Sequence, residues 1–142
     1  MSVKAYGSPY GKNKNTNLKP REIEARGLLE AAKRLSDALA EPENRDKMDQ
    51  ALDFQWQLWT LFQTEALGED FPFSDEMRVL FLQTCRYIDR SILDFYANRH
   101  ENMKHILVFI DINRTLAQGF LQNNEASLPL LQREEQKLSI QF

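Results

Sequence analysis

The sequence predicts an all-α protein, a single-domain small helical bundle of about four helices with extended N- and C-terminal tails. Three observations carry this. Apolar residues recur at three- and four-residue spacing through four successive segments. The 5 glycines and 5 prolines fall mostly between those segments, where they act as breakers. Residues with helix-opening chemistry, Pro20, Asn44 and Ser74, stand where the periodic runs begin. With 142 residues, 42% apolar and 27% charged, the chain has the size and make-up of one soluble globular domain.

Residues 1–19 read as a flexible N-terminal arm. They lack periodicity and carry Gly7, Pro9, Gly11 and the polar run from Lys12 to Asn17. Lys4, Lys12, Lys14 and Lys19 all precede the first acid, Glu22, with Tyr6 and Tyr10 among them. That composition suits a solvated tail; it also suits an arm that meets RNA phosphates and stacks on bases.

The helical domain spans 20–121. Its first helix runs from about Pro20 to Ala40, with Leu28, Ala32, Leu35 and Leu39 as the apolar stripe and Pro42 as the stop. Glu22 and Glu24 sit near the positive end of its dipole. Glu30 and Arg34 are spaced to pair on its wet side.

The second helix, capped by Asn44 and ending near Gly68, holds both tryptophans. Wound at about 100° per residue, Met48, Leu52, Gln55, Trp59, Phe62 and Ala66 share one stripe, with Phe54, Leu58 and Leu61 beside it. The apolar arc is roughly 200° wide, about twice the ~100° that covers a core from one side. Such a helix is either packed between others or presented to a partner. In the loop that follows, Phe71 and Phe73 flank Pro72, to fold back on the core or to join a docking surface.

Ser74 caps a third helix that reaches about Ala97, with Asp75 and Glu76 in its first turn. Its inner stripe is Met77, Phe81, Thr84, Ile88, Ile92 and Phe95; Arg86, Asp89 and Arg90 face out. The fourth helix, about Met103 to Leu121, turns Ile106, Phe109, Ile110, Leu116, Ala117 and Phe120 inward. Asn113 lies on that same side. A buried amide needs partners, so Asn113 is expected to bond across the bundle, to backbone or to the Trp59 indole N–H. Residues 122–142 form a C-terminal tail in which Pro129 is placed to open a short helix.

Motifs for catalysis are missing. The chain has no glycine-rich phosphate loop, no H-E-x-x-H and no C-x-x-C, so an enzyme is not expected, nor a cofactor. His100 and His105 lie about 140° apart on a helix and cannot share a metal on one face. Glu101 and His105 are spaced as a surface pair. The single cysteine, Cys85, excludes a disulfide framework and fits a cytoplasmic setting, as does the lack of a secretory or membrane-spanning run. The net charge of −3 supplies no field for nucleic acid.

Three blocks of sequence, in order, carry a family resemblance. The first is Ala5-Tyr6, then Pro20-Arg21-Glu22-Ile23-Glu24-Ala25 leading to Ala31-Ala32-Lys33-Arg34-Leu35. The second is Ala51-Leu52 with Leu58-Trp59-Thr60-Leu61-Phe62. The third is Ile110-Asp111-Ile112-Asn113-Arg114-Thr115-Leu116 with Gly119-Phe120; Met77 to Leu80 and Ile88 to Arg90 also fit. Over about residues 4–121 the chain resembles the FlaF family of flagellar biosynthesis regulators. The resemblance implies a cytoplasmic flagellin-binding factor, acting with the regulator FlbT to couple flagellin synthesis to secretion during flagellum assembly.

On that reading, a surplus apolar face would cover an amphipathic helix of flagellin before export. Its expected contacts are Phe54, Leu58 and Leu61, with Trp56 at the edge and Phe71 or Phe73 as further candidates. Trp59, Phe62 and Asn113 are expected in the bundle interior. Two other readings stand beside it. One is a post-transcriptional regulator that contacts flagellin message through the basic arm. The other is a homodimer whose surplus face is its own interface.

Overall fold

The computed structural model describes residues 20–98 and 103–122. Over these the chain forms four helices: α1, Pro20–Leu39; α2, Arg45–Leu67; α3, Asp75–Ala97; and α4, Lys104–Gln122. No strand occurs among the described residues, so the all-α bundle expected from the periodicity is the one that forms. The expectations for the N-terminal arm, for the tail beyond Gln122 and for Glu101 fall outside the described residues.

Local chemistry sets the helix ends. Asn44 Oδ1 accepts the Lys47 N–H at 3.1 Å and opens α2. Ser74 Oγ accepts the Met77 N–H at 3.2 Å and opens α3. Each satisfies one of the N–H groups that a helix start leaves without an intrahelical partner. At the end of α2 the Gly68 N–H donates back to the Glu65 carbonyl at 3.1 Å, and further closure comes from outside the helix. Gly68 has a φ of −83°, an ordinary value, so no left-handed turn finishes α2. Instead the Arg78 guanidinium of α3 donates to the carbonyls of Ala66 and of Gly68, the latter at 2.9 Å.

Contacts between helices fix their directions. Arg34 near the end of α1 reaches Phe54 in the first half of α2, and Glu24 near its start reaches Glu65. Cys85 of α3 donates its Sγ–H to the Trp59 carbonyl of α2 at 3.4 Å. Phe62 lies 6.5 Å from Phe120, and Trp59 bonds to Asn113, so α4 runs parallel to α2. The bundle is up-down-up-down, the arrangement short connections favour. Backbones approach most extensively between α1 and α4. Small buried residues permit this: Ala25, Ala31, Ala32 and Ala38 on α1, Ala117 and Gly119 on α4.

The wide apolar arc of α2 follows from its place in the bundle. This helix packs on α1 and α3, and its side chains also reach α4. A helix with neighbours on three sides has no need of a narrow stripe. Trp59 and Phe62 are each 1% exposed, with ring centroids 5.0 Å apart edge to face. Phe81 and Phe120 complete the cluster around Phe62.

A row of polar groups crosses this interior. Asn113 Oδ1 accepts the Trp59 indole N–H at 2.9 Å, and Asn113 Nδ2 donates to Gln55 Oε1 at 2.6 Å. Gln55 and Asn113 are both fully buried. The row ends at Gln55 Nε2, which has no hydrogen-bond partner among the described residues. Removing the central amide would orphan two more groups, at about 1–3 kcal/mol for each one left unpaired. An Asn113→Leu variant should therefore lose about 2 kcal/mol or more in urea unfolding. Adding Gln55→Met should recover part of the loss, because it removes one of the stranded groups. A loss below about 0.5 kcal/mol would show that water replaces the amide.

A second polar contact, half-buried on the α1 side and exposed on the α2 side, sits between α1 and α2. Burial, then the neighbouring Glu65 carboxylate and a hydrogen bond to it, push the Glu24 carboxyl up to about 8, with Arg21 opposing. Glu24 therefore keeps its proton in the folded chain where the unfolded chain has lost it. The folded state binds the extra proton between about pH 4.5 and pH 8, so this group's contribution falls as pH rises through that window. Glu24→Gln keeps a donor toward Glu65 and cannot ionise. Melting temperatures from pH 5 to 9 should show the parent declining relative to this variant, with the gap widest at the alkaline end.

Candidate partner-binding surface

The six side chains expected to face a partner do not form one open surface. Leu58 is 2% exposed and Phe71 is 8% exposed, so both belong to the core. Leu58 is enclosed because α2 is covered on more than one side. Phe71 is enclosed because the loop folds over the end of the bundle, where its ring meets Phe81 at 5.4 Å and Phe73 at 5.4 Å. Leu61 is half-buried. Phe73 packs partly buried against the core, its ring stacked on Phe120 at 5.7 Å with planes 8° apart. Phe54 also packs partly buried against the core.

Arginines from other helices lie against three of these rings. The guanidinium of Arg34 sits 4.2 Å from the Phe54 centroid, and that of Arg21 sits 4.2 Å from the Phe73 centroid. Arg78, which closes the end of α2, lies 5.0 Å from the Phe71 centroid. A planar cation on a ring gains electrostatic attraction and covers apolar carbon while its own edges keep their hydrogen bonds. Beside Phe54, an open depression of about 550 Å³ is lined by Arg34, Asp49, Gln50, Asp53 and Gln57 as well as the ring. Five of its six lining side chains are polar or charged.

Trp56 is the exception, at 46% exposed. Its indole N–H donates to the Asp89 carboxylate of α3. Burial raises the Asp89 carboxyl above its ordinary value, and the indole bond opposes that rise. The bond fixes the ring at the seam of α2 and α3 while leaving much of it uncovered.

From that seam runs a stripe absent from the sequence expectations. Val79, Leu82, Arg86, Asp89, Leu93 and Tyr96 follow one another at alternating intervals of three and four along α3, which puts them on one face. Val79 is 51% exposed, Leu93 71% and Tyr96 45%. Leu82 is partly buried. The signal was present as a second helical alternation, offset from the inner one. It was masked because Arg86 and Asp89 marked that side of α3 as solvent-facing.

Elsewhere the chemistry is quiet. Tyr87 Oη and His105 Nδ1 lie 2.6 Å apart, and burial lowers the His105 pKa. Cys85 is buried. Among the described residues no group of three or more His, Cys, Asp or Glu side chains is placed to hold a metal, and no helix is long and apolar enough to cross a membrane.

The family model for the flagellar protein FlaF matches residues 6–120. No curated protein and no solved structure gives a significant match. The matched segment contains all four helices up to Phe120, including the Gln55–Asn113–Trp59 row and the seam between α2 and α3. The chain belongs to the FlaF family of flagellar proteins.

Proposed function

We propose that this FlaF-family protein binds flagellin before export, shields an apolar helix of it, and so couples flagellin synthesis to secretion, in concert with FlbT. The role is one of binding without catalysis. One observation carries the reading: a half-exposed tryptophan, pinned by Asp89, beside a row of exposed apolar side chains on α3. Export-competent flagellin must keep its amphipathic helices from aggregating. An amphipathic helix docks by laying its apolar face along such a surface. Large aromatics are the usual anchors of interfaces of this kind.

The face used for this purpose is the α2–α3 seam, with Trp56, Leu93 and Tyr96, in place of the Phe54–Leu58–Leu61 face expected from the sequence. An aspartate at Leu58 would enter the core and unfold the protein, so it does not probe binding. A Trp56→Ser, Leu93→Ser double variant removes exposed apolar area and the indole bond to Asp89 while leaving the buried core intact. It should fold, as judged by circular dichroism, and hold purified flagellin at least tenfold less tightly. Capture by the parent should survive moderate salt, since the contact is apolar. Undiminished capture by the double variant would remove the seam as the site.

A further inference from the structure

The outer stripe of α3 has an internal symmetry. Its six residues read Val79, Leu82, Arg86, Asp89, Leu93, Tyr96. Turned end over end about the midpoint between Arg86 and Asp89, the apolar pairs fall on each other and the arginine falls on the aspartate. The alternation of three and four residues is the spacing with which helices pack along a seam. We propose that this stripe is an interface between two copies of the chain, paired antiparallel about a two-fold axis that passes between Arg86 and Asp89.

In that pairing Val79 lies against the second copy's Tyr96 and Leu82 against its Leu93. Arg86 meets the second copy's Asp89, and Asp89 meets its Arg86. A two-fold interface requires such self-complementarity, since each patch must fit a copy of itself. The two charges at the centre of the stripe would otherwise be an odd insertion between apolar ends. Between copies they form two ion pairs and fix the register, because a shift along the helix leaves both unpaired. The indole bond already holds the Asp89 carboxylate in place, and Arg86 forms no ion pair among the described residues. The stripe runs about 26 Å along α3 at ~1.5 Å per residue. Trp56 borders it, so pairing also covers the ring proposed to anchor flagellin. The inference goes beyond the flagellin reading, and the two occupants would compete for the same seam.

Charge exchange tests the pairing without flagellin. Sedimentation equilibrium of the full chain should show a concentration-dependent dimer. Arg86→Asp places like charges opposite each other and should weaken the dimer at least tenfold; Asp89→Arg should do the same. The double exchange, Arg86→Asp with Asp89→Arg, restores opposite charges across the axis and should return the dimer to within about threefold of the parent. Circular dichroism confirms that each variant is folded. A parent that is monomeric up to 200 µM, or a double exchange no better than the singles, would overturn the pairing. Cross-links from α3 to residues 123–142 of the same chain would overturn it in favour of the tail as occupant. Flagellin capture is scored separately. A chain that dimerises yet captures no flagellin even when diluted to monomer rejects the flagellin reading alone, and a chain that stays monomeric yet binds flagellin rejects the pairing alone.

Discussion

The interior is organised by one side-chain amide. Asn113 joins α4 to α2 through two hydrogen bonds, accepting from the Trp59 indole and donating to Gln55. Apolar contact alone tolerates some sliding of one helix past another, because a leucine slot accepts several neighbours. A buried amide tolerates little, because each displaced partner loses a bond with no water to replace it. The aromatic cluster of Trp59, Phe62, Phe81 and Phe120 is therefore assembled around a fixed register. The same residue holds Trp59 in place, and the backbone of Trp59 receives the Cys85 thiol. One polar row thus ties together α4, α2 and α3.

A second layer of organisation comes from arginines. Arg21, Arg34 and Arg78 each leave their own helix to lie on a phenylalanine elsewhere. Their effect is to turn three rings at the rim of the core into surfaces that water tolerates. Where no such cover exists, at Trp56 and along the outer face of α3, apolar area stays open.

Much of this could be read before folding was considered. Asn44 and Ser74 marked helix starts because capping is local chemistry, and α2 and α3 open directly after them. The bond from Trp59 to Asn113 followed from a polar residue set on an apolar stripe. What escaped was non-local. Nothing near Leu58 in sequence says that α2 has neighbours on three sides, and nothing near Phe54 or Phe73 announces the arginines that cover them. Gln55 was legible as a member of the inner stripe, but its place in the amide row depends on α4. The outer row of α3 was hidden by its two charges, which read locally as a sign of solvent.

The arginine covers bear on how this surface would change over time. Their usefulness lies in flatness as much as in charge, since a guanidinium can lie along a ring while its rim stays wet. Lysine carries the same charge on a compact ammonium that lies less well on a ring. Charge-preserving drift at positions 21, 34 or 78 would thus uncover apolar carbon at the rim of the core. A lineage that drifted this way would gain stickiness without altering a single hydrophobic residue.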